Sequence, residues 1–440
     1  MRKQDARDIA VSAITAFRKR NAWSDGYLRN QIRANELSKR DAALATEITN
    51  GVLQNMLLLN YYIGYFSSVK FNKISPGILD ILQVAVYQIL FLDKVPDSAA
   101  VNDAVSRAKR NNPRAAGFVN AITRKISVSK DNLPEIKGNV EEIFSVKYSH
   151  PLWIVQKFID TYGESEAEKI LASYNEKSEA VVRVNTLETT EESLCKREFS
   201  SGLSFEKGII SDSLRVNFSG NIEKENAFSE GLFYIQDTAS QIAARTLNPK
   251  KGAKVLDVCS APGGKSFLMA QLMENEGEII SCDIHKHKLE IIASGAKKLG
   301  IKIIDAILAD ATEFRPEFDN CFDFVLADVP CSGLGIIRKK PDIRYKSATE
   351  ISDLPKIQLE ILKNAAKYVK AGGALLYSTC TVIPQENSDV VKAFLSENSM
   401  FYEEKEYFDI PKIENEFGIT LLPHISGTDG FYMCKLRRKI

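Results

Sequence analysis

VLDVCSAPGGKS, residues 255–266, is an apolar strand that empties into a glycine-rich turn and then into helix-forming Phe267, Leu268, Met269 and Leu272. A doubly wound sheet holds a nucleotide-like ligand at such a junction, because the turn lets backbone come close and the helix N-terminus presents unpaired N–H groups. Three glycine-turn chemistries compete, and spacing separates them. A dinucleotide site needs G-x-G-x-x-G, which this run lacks. A P-loop needs G-x-x-x-x-G-K-[ST]; Gly264, Lys265 and Ser266 supply its end, but Cys259 stands where the first glycine must wrap phosphate. A P-loop ATPase, which ATP would stabilise, is therefore disfavoured.

The third chemistry is an S-adenosylmethionine turn, with Asp257 closing the strand and Pro262, Gly263 and Gly264 shaping the loop. Two further apolar runs support it. GEIISCDI, residues 277–284, carries Asp283 at its end, about where a doubly wound fold places a carboxylate on ribose hydroxyls. AILADA, residues 306–311, carries Asp310, suited to accept from an adenine amino group. One strand-end aspartate often only caps the next helix; three in successive βα units argue for a ligand.

Length and composition bound the rest. At 440 residues, and about 150 per domain, two or three domains are expected, and 44% apolar with 26% charged residues excludes a disordered chain. MRKQDARDIA puts charges where a signal peptide needs apolar residues, and no uninterrupted apolar run reaches about 18 residues. A cytoplasmic monomer that contacts no membrane is expected. Seven cysteines, at 195, 259, 282, 321, 331, 380 and 434, contain no C-x-x-C pair, so neither a disulfide framework nor a metal site is expected.

A net charge of +1 hides an uneven distribution. Residues 1–40 hold ten Lys/Arg against four Asp/Glu, and residues 101–130 hold seven against one. With RKKPDIRYK, residues 338–346, and the C-terminal KLRRK, these blocks read as a divided surface for polyanion.

Ala6, Ile9, Ala10, Ala13, Ile14 and Phe17 recur at helical spacing, as do Leu44, Ile48 and Val52, and Ile78, Ile81, Leu82, Ala85 and Ile89. Pro96-Asp97-Ser98 offers an N-cap for a further helix, which Asn111-Asn112-Pro113 closes. Residues 1–135 thus read as an all-α bundle with a basic edge. Residues 136–235 mix two short amphipathic helices with strands at AVVRVNTL, SLRVNF and GLFYIQ, and Thr189-Thr190-Glu191-Glu192 signals a helix start. This is a small α+β linker domain in which Arg183 and Asn185 project from a strand. Residues 236–440 form the α/β domain with the doubly wound sheet.

The chemistry lies beyond Asp310. CFDFVLADVPCSG, residues 321–333, is a strand emptying into Asp328 and Cys331, and GALLYSTCT, residues 373–381, empties into Ser378 and Cys380. Ligands of an open α/β sheet bind beyond the C-terminal strand ends, so two thiols and an acid should share one crevice with the turn. Cys259, Cys282 and Cys321 read as small buried hydrophobes instead. A thiol beside a methyl donor suits one reaction. Carbon 5 of a pyrimidine is too poor a nucleophile to take a methyl group unaided, and thiolate addition at carbon 6 makes it an enamine. An acid on N3, the role Asp328 is placed for, eases that addition. The residues by themselves assign the attack to neither thiol.

CSAPGGK (residues 259–265), Asp283, Asp310, DVPCSG (328–333), STCT (378–381), PQEN (384–387) and DGFYMCKLRR (429–438) together resemble the RNA cytosine carbon-5 methyltransferases, and the helical N-terminus resembles the NusB antitermination-factor fold. The resemblance spans essentially the whole chain and implies an RRM-like linker domain, a class I methyltransferase domain and 16S ribosomal RNA as partner. It further implies that Cys259, Ser260, Ala261, Pro262, Gly263, Gly264 and Lys265 line the methionine and ribose end of S-adenosylmethionine. Asp283 is implied at the ribose, Asp310 at the adenine, and Asp328 between cofactor and base. Cys380 is implied as nucleophile and Cys331 as the residue that helps release product. Ser260 departs from a frequent family alanine. An RNA-binding scaffold without catalysis is the contrasting reading, against which Cys380, Cys331 and Asp328 all speak.

Overall fold

The computed structural model describes residues 4–20, 24–218 and 220–440, so Arg2 and Lys3 of the first basic block lie outside the described residues. The chain forms two compact units, Met1–Asn175 with Lys340–Lys346, and Glu176–Lys339 with Ser347–Ile440.

The first unit is helical: α1 Ala6–Arg20, α2 Ser24–Ala34, α3 Lys39–Phe66, α4 Pro76–Phe91, α5 Asp97–Asn111, α6 Ala116–Ser129, α7 Val140–Lys147, α8 Leu152–Tyr162 and α9 Glu164–Ser173. Most of the helically spaced apolar residues, among them Ile14, Ile48, Val52, Ile81, Leu82 and Val119, pack into one core, while Ala6, Ile9 and Ala13 pack into a smaller cluster with Leu28 and Ala45. The N-cap expected near Pro96 differs in detail. α5 begins at Asp97 itself with no side-chain cap, and the Asp97 carboxylate accepts from Ser127 Oγ at 2.8 Å and Lys130 Nζ at 3.2 Å, tying α5 to α6.

α3 is kinked at Asn55 (φ −114°, ψ 15°). Beside the kink the Leu57 N–H donates to Ser149 Oγ at 2.9 Å, an outside group inserted into the helix ladder that turns carbonyls of the preceding turn outward. The segment Lys340–Lys346 supplies donors for them: Tyr345 OH donates to Leu53 O at 2.6 Å, and Arg344 donates to Gln54 O at 2.6 Å and Ser149 O at 3.0 Å.

In the second unit β1 Val181–Val184, α10 Glu191–Lys196, β2 Ser204–Lys207, β3 Ser213–Asn217, α11 Asn226–Ser229 and β4 Phe233–Ile235 make the α+β piece, its antiparallel sheet ordered β2-β3-β1-β4. Thr190 caps α10 by accepting from the Ser193 N–H, as its sequence signals. β2, which the sequence reading missed, alternates only weakly (SFEK, with Phe205 alone buried). Arg183 and Asn185 do not project into solvent. Arg183 is 2% exposed and donates to Ser211 O and Gln271 Oε1, while Asn185, fully buried, donates to Gly231 O and Leu299 O. They clamp the α+β piece to the following domain.

That domain runs α12 Thr238–Leu247, β5 Lys254–Asp257, α13 Gly264–Leu272, β6 Glu278–Asp283, α14 Lys286–Lys298, β7 Ile304–Leu308, β8 Phe322–Asp328, α15 Ala348–Ile351, α16 Leu354–Tyr368, β9 Val369–Thr379, α17 Ser388–Glu397, β10 Phe401–Glu403, β11 Ile413–Glu414, β12 Ile419–Leu421, α18 Pro423–Ser426 and β13 Phe431–Arg438. Its sheet is ordered β11-β12-β13-β9-β8-β5-β6-β7, with β10 on the far end of β13. β9, β8, β5, β6 and β7 are parallel, and β13 returns antiparallel to β9. Strand order reverses between β5 and β8, the position where a doubly wound sheet opens a crevice.

Two of the four basic blocks do not form a polyanion surface. Lys435 and Arg437 of KLRRK lie on β13 and both pair with Glu404. Arg338 and Lys339 pair with Asp429, and Arg344 is fully buried. In the helical unit Arg107 pairs with Asp5, Asp8 and Asp103, and Arg18 with buried Asp80, whereas Lys109, Arg114, Arg124 and Lys125 are exposed. Among the described residues no helix is long and apolar enough to cross a membrane.

Candidate active site

The turn after β5 is built by glycine. Gly263 has φ +106°, and a Cβ there would meet the Phe267 ring at 2.5 Å, so the bend into α13 excludes a side chain. Ser260 fixes the start of the bend, its N–H and Oγ both donating to Cys282 O, at 2.8 and 3.0 Å. Beneath it Asp257 is 1% exposed, with Oδ2 accepting from Ser266 Oγ at 2.7 Å and Oδ1 without a partner. Burial pushes this carboxyl up to about 7.

A cavity of about 380 Å³ opens over the ends of β5, β6, β7 and β8, and Cys259, Ala261, Asp283, Asp310 and Asp328 all line it. Ser260, Pro262, Gly263, Gly264 and Lys265 are not among its lining residues; they form the turn below it. Asp283 accepts from the His285 N–H at 2.9 Å and lies 3.4 Å from Lys288 Nζ. Asp310 accepts from the Thr312 N–H and hydroxyl at 2.9 and 2.7 Å. Each acid therefore caps its own turn and still faces the cavity. The opposite wall is apolar, from Val258, Val329, Ile357 and Ile361. The last two were missed by sequence reading, although their four-residue spacing on α16 is a helix-face signal. Cys259 is pushed well up by burial, which marks it as unreactive.

At the mouth, adjacent parallel strands β8 and β9 bring their ends together, pairing Asp328 with Ser378. Asp328 accepts from Ser378 Oγ at 2.8 Å and from Lys265 Nζ at 2.6 Å. Burial opposes charge on Lys265, but Asp328 holds its ammonium above the usual range. Just beyond, Cys331 and Cys380 lie Sγ to Sγ at 3.0 Å. The hydrogen bond with Cys380, then burial, push the Cys331 thiol well up.

The loops carrying the thiols are pinned. The Gly335 N–H donates to Cys380 O at 2.9 Å, and a Cβ on Gly335 would meet Gly430 O at 2.0 Å, so the approach requires glycine. Thr379 Oγ1 donates to Asn387 Oδ1 at 2.6 Å, Asn387 donates to Thr381 O at 3.1 Å, and Ser332 Oγ donates to Thr381 Oγ1 at 2.9 Å. Among the described residues no cluster of His, Cys, Asp and Glu could hold a metal ion. The arrangement offers two thiols, an acid and an ammonium at the edge of a nucleotide-sized cavity.

Comparison with known proteins places each part. Residues 4–127 match the NusB family, residues 150–223 the ferredoxin-like domain of RsmF/B-like methyltransferases, and residues 244–437 the 16S rRNA methyltransferase RsmB/F description. The chain is 37% identical to a Bacillus subtilis protein named probable ribosomal RNA small subunit methyltransferase B, covering 100% of both. It is 30% identical to a Synechocystis protein of the same name, over 98% of this chain and 99% of that one. In three dimensions it resembles the crystal structure of a methyltransferase homolog from Pyrococcus horikoshii, with a TM-score of 0.60 and 25% identity over 69% of this chain and 100% of that chain.

Proposed function

Because the chain belongs to the RsmB/F family of ribosomal RNA small subunit methyltransferases, with a NusB domain and a ferredoxin-like domain ahead of a Rossmann-like methyltransferase domain, we propose that it transfers a methyl group from S-adenosylmethionine to carbon 5 of a cytosine in 16S ribosomal RNA. The observation that carries this reading is the pair of thiols 3.0 Å apart next to Asp328, itself a wall of the cavity.

The cavity fits the donor. Its volume of about 380 Å³ suits a nucleoside-sized ligand, its acids Asp283 and Asp310 come from successive strand ends, and its lining includes the apolar Val258, Val329, Ile357 and Ile361, enough to cover a ring. When bound, S-adenosylmethionine supplies an electrophilic methyl group. The target base, unstacked from the RNA at a cost of a few kcal/mol, enters over Asp328. As Cys380 bonds through Sγ to carbon 6 its thiol proton leaves to solvent, and the electron pair displaced to N3 takes up a proton relayed through Asp328 from the Lys265 ammonium 2.6 Å behind it, to which that proton returns when the ring is restored. Carbon 5, now an enamine carbon, takes the methyl group. Loss of the carbon-5 proton, assisted by Cys331, then expels Cys380 and restores the aromatic ring. Residues 1–135 and 136–235 are assigned to positioning the RNA, and residues 236–440 to the chemistry.

The test is methyl incorporation from labelled S-adenosylmethionine into protein-free 16S RNA and into assembled small subunits, with nucleoside analysis. We expect 5-methylcytosine in one of them. Cys380→Ala should give neither methylation nor a covalent adduct. Cys331→Ala should methylate and then stall with RNA attached, in a complex that survives denaturing electrophoresis. An adduct that persists in Cys380→Ala and vanishes in Cys331→Ala would exchange the two roles. No incorporation into either RNA by the intact enzyme would remove the reading.

A further inference from the structure

Cys331 and Cys380 follow adjacent parallel strands, β8 and β9, in turns tied together by the Gly335 N–H on Cys380 O and by Ser332 Oγ on Thr381 Oγ1, each at 2.9 Å. Their sulfurs are 3.0 Å apart. A disulfide has an S–S distance of about 2.05 Å, so about 1 Å of side-chain movement separates this contact from a covalent bond. Both thiols are part-exposed, whereas Cys282 on β6 and Cys434 on β13 are buried. Burial pushes those two up, and Cys259 with them, which keeps all three as unreactive thiols.

The pair is unequal. The hydrogen bond with Cys380, then burial, push the Cys331 thiol up, so Cys331 keeps its proton and Cys380 is the one to give its own away. The Lys265 ammonium interacts with the charge that Cys380 then carries. Thiolate character selects the sulfur that an oxidant attacks first, and a second thiol in contact with it resolves the product.

On the methyl-transfer reading above, we propose that the two cysteines also form an oxidation site: a peroxide joins them as a disulfide, which stops the enzyme and spares its nucleophile from irreversible damage. With hydrogen peroxide, Cys380 Sγ bonds to one oxygen, the O–O bond breaks, and the other oxygen leaves with the thiol proton as water. Cys331 Sγ then bonds to the sulfenic sulfur, the S–O bond breaks, and the hydroxyl leaves with the Cys331 proton as a second water. Two electrons pass from the thiols to the peroxide. While the link stands, Cys380 cannot add to carbon 6. A thiol reductant reopens it, whereas a sulfenic acid with no resolving partner goes on to sulfinic acid, which such reductants leave untouched.

Full-length protein treated with excess hydrogen peroxide in the absence of RNA tests this. We expect the mass to fall by two hydrogens, with proteolytic peptides joined through Cys331 and Cys380. Single-turnover methyl transfer to 16S RNA, free or in the small subunit, should be lost in step with that link and return in full on dithiothreitol. S-adenosylmethionine should bind oxidised and reduced protein alike, since neither cysteine is among the residues that line the cavity. Cys331→Ala, which still attacks the base, should lose transfer to peroxide without recovery, its Cys380 carried on to sulfinic acid; Cys331→Ser serves if the alanine variant does not fold. No Cys331–Cys380 link in oxidised wild type, a loss that dithiothreitol does not reverse, cofactor binding that disappears on oxidation, or recovery of Cys331→Ala as full as that of wild type would each overturn the proposal. A link that forms and opens as expected in a protein that never methylates 16S RNA would instead overturn the methyl-transfer reading beneath it.

Discussion

A carboxyl group under the ligand turn makes the domain sensitive to pH. The buried Asp257 is pushed up to about 7 in the folded chain, above the usual aspartate value of 3.8. Below the unfolded value both states are protonated and nothing is lost. As pH rises toward 7 the unfolded chain gains by ionising while the folded one does not, so stability falls, by a few kcal/mol in total, and levels off above. Asp257→Asn should remove this component, and urea unfolding of both proteins between pH 4 and 8 would show it; parallel curves would refute it. Asp283, by contrast, faces the cavity. If it holds the ribose, Asp283→Ala should weaken S-adenosylmethionine binding by about 1.5–3 kcal/mol, measured by calorimetry, and an unchanged affinity would remove it from the site. The three strand-end acids were legible because each closes an apolar run. Which acid is sealed and which is open was not, because that depends on neighbours far away in sequence. Lys265 shows the same limit: its place in the turn was plain, its reach to Asp328 was not.

Helices of the first unit followed their periodicity, yet the kink in α3 has no proline to announce it. It exists because carbonyls freed at Leu53 and Gln54 find donors in Tyr345 and Arg344, from a segment that reads as a basic patch. Counting charges without their partners misplaced that segment and the KLRRK strand alike. The consequence is measurable. Arg344→Met keeps the apolar stem but leaves Gln54 O and Ser149 O without their donor, at about 1–3 kcal/mol for each buried group. A lowered urea midpoint for the first unit is expected, and an unaltered one would show that the guanidinium is dispensable. The missed β2 has a simpler cause, four residues with one buried side chain giving too weak an alternation to read.

Over the whole molecule, two of the four basic blocks are paired off internally, on Asp429 and Glu404. Lys109, Arg114, Arg124 and Lys125 are exposed on α5, α6 and the turn between them. If this face meets RNA phosphates, changing the four to Gln in the full chain should weaken RNA binding and flatten its salt dependence, by about one unit of slope for each phosphate no longer neutralised. Binding of S-adenosylmethionine should be unaffected. An unchanged salt slope would exclude the face. The order of parts along the chain was legible from changes in periodicity, from helical spacing to mixed elements to long apolar strands. That residues 340–346 belong with the helices was not, since nothing in RKKPDIRYK marks which partner its side chains will find.

This last arrangement sets an order of events during synthesis. Leu53 and Gln54 emerge long before Arg344 and Tyr345, so the nascent helical unit carries a bend whose carbonyls water must serve until the first four of the nine strands of the sheet, β5 to β8, have been made. Its final tightening is a late step, and a fragment ending at Asn175 should gain stability when a peptide spanning residues 340–346 is added.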